Sequence, residues 1–461
     1  MKYLSTRGIK ANSFKEVLFS GLADDGGLFV PEQWPVINVD QLDPNISYID
    51  LTFKIITPFI ENEIPEEDLK NIITKAYQNT FSYEDLVSFK ELNANEIIVE
   101  LFNGPTLAFK DFAMQLLIPI FDYFLSLEDK KINLIVATSG DTGSAAINAV
   151  RKSKNINIYC LFPKDRISNF QRRQMSTVTE NNIILCEIDG TFDDCQKIVK
   201  TILNDQDFST KFNISAVNSI NWARIIIQSV YYFFSFLKLN GGKLDKINFS
   251  VPTGNFGDVY AGYVAYKMGL PINKLLVATN ENDILHRFFK SGEYKVKSVS
   301  KTSSPSMDIQ IASNFERLLF ELLGRSGELT KDKMEDLEST GKIDVNKDEL
   351  KIARNIFTSA KTEINDVKTV INQVFNKSQY LLDPHTAIGL YGSRQYNDSA
   401  HLNCVLATAS PVKFSETVEG AIDKDLNLLD GYDFLFDSKE KYIELQNSVD
   451  EVKEQIINTN R

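Results

Sequence analysis

Cysteine and histidine are both scarce in this chain of 461 residues, which has four of the first and three of the second. The four cysteines are far apart, contain no C-x-x-C pair and form no ligand cluster with the histidines. Disulfides and a metal site are therefore not expected, and a reducing cytoplasm is the predicted location.

A long apolar run is also missing. The longest, residues 225–237, is interrupted by Gln228 and Ser229 and is shorter than the roughly 20 residues that a bilayer requires. The first eight residues are polar and lack the apolar core of a secretory signal, so we expect the chain to begin as mature protein. The run at 225–237 is therefore predicted to be a buried helix, and no membrane is expected as a partner.

Basic residues are outnumbered, with 50 lysines and arginines against 62 aspartates and glutamates and a net charge of −12. This balance disfavours nucleic acid and anionic membranes as general partners, although it allows a local basic pocket. The hydrophobic fraction of 43% is typical of a soluble globular enzyme.

The length predicts two or three domains. Residues 1–91 show mostly helical spacing and are predicted to form an N-terminal helical cap. Residues 92–240 and 241–461 are predicted to be two α/β domains, and the second contains a helical insertion at about residues 324–378. A C-terminal amphipathic helix is expected around residues 439–457.

Short apolar strand patterns alternate with helical patterns after residue 92. Continuous apolar runs such as Ile132–Ala137 are typical of strands that are buried on both faces. Alternation of this kind predicts the α/β class, with helices packed on parallel sheets. The predicted strands are 96–101, 132–137, 156–162, 183–188, 247–251, 275–278 and 404–408.

Lys110 stands between Phe109 and Phe112 at the predicted start of a helix, after a turn built on Gly104 and Pro105. Aromatic neighbours would partly desolvate the amine, which lowers its pKa and makes it nucleophilic toward an aldehyde. Pyridoxal phosphate (PLP) is the aldehyde cofactor that enzymes hold in this way. Taken alone, the pattern is more typical of a lysine whose aliphatic stem covers an apolar surface. The other motifs of the chain favour the cofactor-binding interpretation.

Two predicted strand–turn–helix motifs have the composition of anion sites. Residues Ser139–Thr142 follow the strand that ends at Ala137, and Gly254–Gly257 follow the strand that ends at Val251. Such turns present backbone N–H groups and hydroxyls at a helix N-terminus. Neither turn matches the dinucleotide or P-loop pattern. They predict one site for a phosphorylated cofactor and one for an anionic substrate, while an ordinary capped turn is the alternative for the first.

Two further segments add polar groups. Asn218–Arg224 could direct the Arg224 guanidinium at a phosphate, although a helix cap with a surface arginine is the alternative. Thr408 stands at the end of the last predicted strand, and Lys413 follows a few residues later. Taken singly, neither Thr408 nor Lys413 is informative.

Taken in order along the chain, these motifs resemble those of the threonine synthase family, which consists of PLP-dependent enzymes with the tryptophan synthase β fold. The resemblance extends over nearly the whole chain. The particular pattern of motifs is similar to that of the microbial and fungal branch of the family. The segments that carry it are Tyr3–Gly8, Gly21–Pro31, Leu101–Ala113, Ser139–Gly143, Gly254–Gly257, Ser304–Ile309, Ser313–Arg317, Asp383–Thr386 and Ala407–Phe414.

The resemblance implies PLP fold type II, with two parallel-sheet α/β domains and a mainly helical cap. It implies a lyase that converts O-phospho-L-homoserine and water to L-threonine and phosphate, the last step of threonine biosynthesis. PLP is then the cofactor, O-phospho-L-homoserine is the small-molecule partner, and a cytoplasmic monomer or weak homodimer is expected.

The resemblance also implies a role for each matching residue. Lys110 is the implied Schiff-base lysine and the catalytic base. The residues implied to bind the cofactor are Lys110, Asp141, Gly254, Asn255, Phe256, Gly257 and Thr408. Those implied to bind the substrate are Ser139, Gly140, Thr142, Asn218, Ser219, Arg224 and Lys413.

One position departs from the family pattern. Ser410 stands where the family usually has histidine, so no imidazole is expected from that position. Two alternatives stay open. One is a phospho-lyase that stops after elimination and releases 2-oxobutyrate, and the other is a PLP-binding protein without turnover.

Overall fold

The structure, a computed structural model, describes residues 1–240 and 245–460. The strands are β1 (Tyr3–Ser5), β2 (Lys10–Ala11), β3 (Phe29–Pro31), β4 (Ser88–Asn93), β5 (Glu96–Glu100), β6 (Ile132–Ala137), β7 (Ile156–Pro163), β8 (Ile183–Ile188), β9 (Ile214–Ala216), β10 (Ile247–Pro252), β11 (Ile272–Thr279), β12 (Glu293–Lys295), β13 (Lys342–Asp344), β14 (Phe357–Lys361), β15 (Leu402–Ala407) and β16 (Ile443–Leu445).

The α-helices are α1 (Phe14–Ser20), α2 (Tyr48–Ile60), α3 (Glu66–Tyr77), α4 (Lys110–Glu128), α5 (Asp141–Val150), α6 (Asn169–Ser176), α7 (Phe192–Asn204), α8 (Gln206–Lys211), α9 (Trp222–Asn240), α10 (Gly257–Lys267), α11 (Ile284–Ser291), α12 (Phe315–Leu322), α13 (Gly327–Thr340), α14 (Lys347–Ile356), α15 (Ile364–Ser378), α16 (Pro384–Tyr396), α17 (Ser415–Ile422), α18 (Asp433–Asp437) and α19 (Val449–Thr459). Of these, α9 is the helix predicted from the apolar run at 225–237.

Two sheets form the framework of the molecule. The larger has the order β14-β11-β10-β15-β5-β4 and is parallel except for the edge pair β4 and β5. The smaller has the order β16-β8-β7-β6-β9 and is parallel throughout. In parallel α/β sheets, ligands bind outside the carboxyl ends of the strands, which is where the two predicted turns lie.

The two sheets do not divide the chain at residue 240 as the sequence suggested. Strand β5 from the predicted first α/β domain pairs with β15, and β16 near the C-terminus pairs with β8. The N-terminal cap contains a three-stranded antiparallel sheet besides its helices, with the order β2-β1-β3. Each α/β layer is therefore assembled from segments that are distant in sequence.

Helix α9 is the central helix of the fold. All of its residues from 222 to 237 are buried, and α2, α4 and α10 pack against it. A helix that is apolar all round is stable in water only when it is covered on every side. Since α4 begins at Lys110 and α10 begins at Gly257, their packing on α9 fixes the lysine relative to the glycine turn. Across the described residues, no helix is long and apolar enough to cross a membrane.

Arg317 is a buried guanidinium that ties three parts of the fold together. It donates hydrogen bonds to the carbonyl of Phe29 (3.0 Å), to the carbonyl of Ile220 (2.6 Å) and to the side chain of Asn314. Its guanidinium also lies 5.6 Å from the ring of Trp222. Burial lowers the pKa of Arg317 to about 10. The N-terminal sheet, α9 and α12 therefore share one polar junction.

We expect Arg317→Met to lower the free energy of unfolding by at least about 2 kcal/mol, because the buried carbonyls would lose their donor. Urea denaturation followed by circular dichroism measures this change. Arg394→Met is a matched control, since Arg394 pairs with Glu96 at a partly exposed position and should contribute less than about 1 kcal/mol. An equal loss of unfolding free energy in the two variants would contradict the conclusion that burial makes the Arg317 hydrogen bonds important.

Candidate active site

A cavity of about 820 Å³ lies at the carboxyl ends of β6, β10 and β15. Pockets of this size are typical of small-molecule sites. Every predicted site residue except Gly140 and Lys413 lines the cavity. The lining residues among them are Lys110, Ser139, Asp141, Thr142, Asn218, Ser219, Arg224, Gly254, Asn255, Phe256, Gly257 and Thr408.

Lys110 is the first residue of α4, as predicted. The segment before it pairs with the segment after β15, where Ala108 and Ala409 form an antiparallel bridge and the Phe109 N–H donates to the Thr408 carbonyl at 2.9 Å. Buried Asp111 holds the preceding turn by accepting the N–H and hydroxyl of Thr106 at 2.8 and 2.7 Å. The lysine is therefore fixed beside Thr408 by backbone pairing.

The Lys110 amine is only 13% exposed and lies 4.4 Å from the centre of the Phe109 ring. Phe112, the other predicted aromatic neighbour, instead packs with Tyr48, Phe81 and Tyr231 in the core. That prediction was wrong because residues two apart on a helix point in different directions. Burial lowers the pKa of Lys110 despite the opposing effect of a nearby carboxylate.

That carboxylate is Asp141, the first residue of α5. It lies 3.2 Å from Lys110 Nζ and 2.8 Å from Lys413 Nζ, and it accepts a hydrogen bond from Gln171 at 2.8 Å. Burial alone would raise the pKa of Asp141, but the two lysines hold it well below its usual range. Asp141 is therefore ionised and shared by two cations.

Lys413 and Gly140, the two predicted residues that do not line the cavity, lie behind its wall. The fully buried Lys413 amine contacts Asp141 and donates to the Thr106 carbonyl at 2.8 Å. A Cβ on Gly140 would stand 2.4 Å from the Gln171 side chain, and its φ of 125° is one that glycine adopts readily. Both residues support the Asp141 loop from behind.

The Gly254–Gly257 turn joins β10 to α10. A Cβ on Gly254 would stand 2.5 Å from the Ser306 carbonyl, so only glycine fits there. Phe256 has a φ of 63°, and its buried ring packs against Phe289 and Phe357. The Phe256 ring is therefore part of the core, and the turn leads into the N-terminus of α10, where backbone N–H groups are of the type that binds anions.

Arg224 is a further cation that lines the cavity. It is almost fully buried, its Nη1 donates to the Val217 carbonyl at 3.1 Å, and its Nε has no hydrogen-bond partner among the described residues. Burial lowers its pKa to about 10. No carboxylate within residues 1–240 and 245–460 forms an ion pair with it, so an anionic ligand would complete its interactions.

The structure also places residues in the cavity wall that sequence reasoning did not single out. Ser313 lies 3.2 Å from Ser219, oxygen to oxygen, and donates to Asn255 at 3.3 Å. His385 faces the cavity from the start of α16. The segments around Ser313 and His385 were noted only for their family likeness, which was the available signal for both.

Three family models match the chain. "Threonine synthase N terminus" matches residues 2–77, "Pyridoxal-phosphate dependent enzyme" matches residues 83–339, and "Threonine synthase, C-terminal" matches residues 386–456. The second of these matches covers more than half of the chain.

Similar proteins and structures carry the same name. Threonine synthases from Pseudomonas aeruginosa and Saccharomyces cerevisiae are 45% and 42% identical to the chain, over 91% of it and over 90% and 89% of their own lengths. The crystal structure of PLP-bound threonine synthase from Brucella melitensis has a TM-score of 0.95 at 42% identity, and the match covers 100% of both chains.

We expect inorganic phosphate to raise the melting temperature of the cofactor-free protein, because a ligand that binds only the folded state stabilises it. Arg224→Met should reduce this rise, since Arg224 lacks an anionic partner, but should not abolish it, because the Gly254 turn is a second anion site. Calorimetry with and without phosphate measures the effect. Arg151→Met, which alters an exposed ion pair with Glu180, is the control. An undiminished rise for Arg224→Met would mean that phosphate binds elsewhere.

Proposed function

The chain belongs to the threonine synthase family of PLP-dependent enzymes, and we propose that Lys110 is the residue on which its catalysis depends. The reaction converts O-phospho-L-homoserine and water to L-threonine and phosphate, which makes the enzyme a carbon–oxygen lyase. One observation carries the assignment of residues. A single cavity brings together a lysine of lowered pKa, two helix N-termini and an arginine that has no anionic partner within the described part of the chain.

The residues around Lys110 fit PLP. The lowered pKa of Lys110 suits covalent attachment of the cofactor aldehyde. The Gly254–Gly257 turn suits the cofactor phosphate, because Gly254 leaves room that a side chain would fill. The hydroxyl of Thr408 suits the pyridine nitrogen, and as a neutral group it would not stabilise a fully protonated ring. When bound, PLP supplies an electron sink that makes the hydrogen on the substrate Cα acidic.

Lys110 is the general base that takes this Cα proton, and Asp141 governs its charge. Because Lys413 approaches Asp141 more closely than Lys110 does, 2.8 Å against 3.2 Å, it offsets much of the carboxylate charge. The proton on Lys110 is therefore held less firmly than it would be by an unshared carboxylate. We assign Lys413 to this positioning role instead of substrate-phosphate binding.

The substrate phosphate is assigned to Arg224, with Asn218 and Ser219 beside it. The unpaired Arg224 Nε supports this assignment, since a charge-assisted bond to phosphate would satisfy a buried donor. A fixed guanidinium also stabilises the charge that develops as phosphate leaves. The substrate carboxylate is assigned to the start of α5, with hydroxyls from Ser139 and Thr142 and backbone from Gly140.

Threonine forms only if water is held at Cβ, and the competing outcome is release of 2-oxobutyrate. Ser139 and Thr142 provide hydroxyls on the cavity wall that can hold this water. Ser410 accepts a hydrogen bond from the Val412 N–H at 3.4 Å and is not among the described residues that line the cavity. The hydroxyls that favour threonine over the phospho-lyase alternative are therefore assigned to Ser139 and Thr142, and none to Ser410.

A cytoplasmic location and a monomeric or weakly dimeric state complete the proposal. The four cysteines are all buried and unpaired among the described residues, which fits a reducing compartment. Gel filtration across a range of protein concentrations tests the oligomeric state.

We expect Lys110→Ala to lower turnover by more than about 10³-fold, since it removes both the covalent attachment point and the base. The Gly254 turn should still bind PLP reversibly. Borohydride reduction followed by dialysis measures attachment, because wild type should retain the reduced cofactor and the variant should lose it. Lys164→Ala, at an exposed ion pair with Glu444, is the control. Near wild-type activity in Lys110→Ala would refute the assignment.

We expect threonine to be the major product and Ser410→His to retain most of the activity, because Ser410 does not line the cavity. Chromatography of the reaction mixture together with a 2-oxoacid assay gives the product ratio. More 2-oxobutyrate than threonine in the wild type would support the phospho-lyase alternative. A change of the product ratio in Ser410→His would instead give that position a role in holding water.

A further inference from the structure

Asp383 and His385 form a buried pair at the start of α16. Asp383 is the N-cap residue, and its carboxylate accepts the backbone N–H groups of His385 at 2.9 Å and Thr386 at 3.2 Å. The same carboxylate accepts the Thr386 hydroxyl and lies 2.8 Å from His385 Nδ1. The pair is therefore part of the helix cap and has little freedom to rotate.

This geometry fixes the role of each imidazole nitrogen. An ionised carboxylate only accepts hydrogen bonds, so Nδ1 carries a hydrogen and donates to Asp383. Nε2 is left as the free nitrogen of the ring. It is buried and has no hydrogen-bond partner among the residues that the structure describes, and His385 lines the cavity.

A buried polar atom without a partner costs folding free energy, so its presence in a cavity wall points to a ligand. The pair's other polar atoms are satisfied, since Asp383 accepts the bonds described above. Within the pair, only His385 Nε2 lacks a partner among the described residues.

His385 and Thr408 both line the cavity. The ring centre of His385 is 4.9 Å from that of Phe414, which follows Thr408 closely in sequence. The groups assigned to the cofactor ring, Lys110, Asp141 and Thr408, line the same cavity as His385.

We propose that His385 is an additional cofactor-binding residue whose Nε2 hydrogen-bonds to the ring edge of bound PLP, with Asp383 as the residue that positions it. This inference rests on the proposed cofactor site.

The three histidines of the chain make a direct test practicable. In protein labelled with nitrogen-15 histidine, only His286, His385 and His401 give imidazole signals. The variants His286→Gln and His401→Gln assign the signals without altering the proposed site. We expect the Nε2 signal of His385 to differ between the PLP-bound and PLP-free protein. His286 and His401, which bond Ser359 and Asp398 outside the cavity, should be unchanged and serve as internal controls.

A pair of variants provides a second measurement. His385→Asn keeps a donor near Asp383 but removes any group at the Nε2 position, whereas the longer side chain of His385→Gln can place a polar group there. We expect His385→Asn to shift the visible absorption maximum of the bound cofactor and to weaken PLP binding about tenfold. The absorption maximum and PLP affinity of His385→Gln should be closer to those of the wild type. The control variant His401→Asn should have wild-type values for both.

The outcomes separate this inference from the proposed function. Failure of the wild type to bind PLP would overturn both. PLP binding with an unchanged His385 signal, or with His385→Asn indistinguishable from wild type in spectrum and affinity, would overturn the role of His385 alone. Equal spectral effects of the Asn and Gln variants would show that the imidazole only packs against the site, which also overturns it.

Discussion

The ion triad of Lys110, Asp141 and Lys413 is the interaction on which the site depends. Asp141 follows β6 of the smaller sheet, whereas Lys110 follows β5 and Lys413 follows β15 of the larger one. Both lysines lie within ion-pair distance of the Asp141 carboxylate, which would be costly to bury without them. The triad therefore forms only when the two sheets meet, and it joins them at the point where chemistry is required.

The buried polar atoms of the cavity wall that lack hydrogen-bond partners among the described residues can be explained in one way, as groups that pair with a bound ligand. Arg224 Nε, Asp258 Oδ2 and His385 Nε2 are all buried atoms of cavity residues without hydrogen-bond partners among the described residues. By contrast, the buried guanidinium of Arg317 has a hydrogen-bond partner for each of its three nitrogens. Incomplete satisfaction at the cavity lowers the stability of the free protein and leaves binding free energy for ligands.

Sequence reasoning located most of the cavity because strand–turn–helix motifs are local. A buried parallel strand followed by a small polar turn leaves a clear pattern, and this identified the Asp141 and Gly254 turns. It failed where tertiary pairing decides the outcome. Strands β14 and β16 are short edge strands with few apolar residues, so their segments were assigned to helical regions. The orientation of Phe112, the placement of Lys413 behind Asp141 and the unpaired nitrogen of His385 depend on contacts between distant segments.

The position of β15 in the larger sheet has a consequence for biosynthesis. This strand lies between β10 and β5, and its residue Val405 pairs with Ser250 on one side and with Ile98 on the other. Until it emerges from the ribosome, both of those neighbours present open strand edges to other chains. The nascent polypeptide is therefore exposed to edge-to-edge aggregation until β15 is available to pair with both strands.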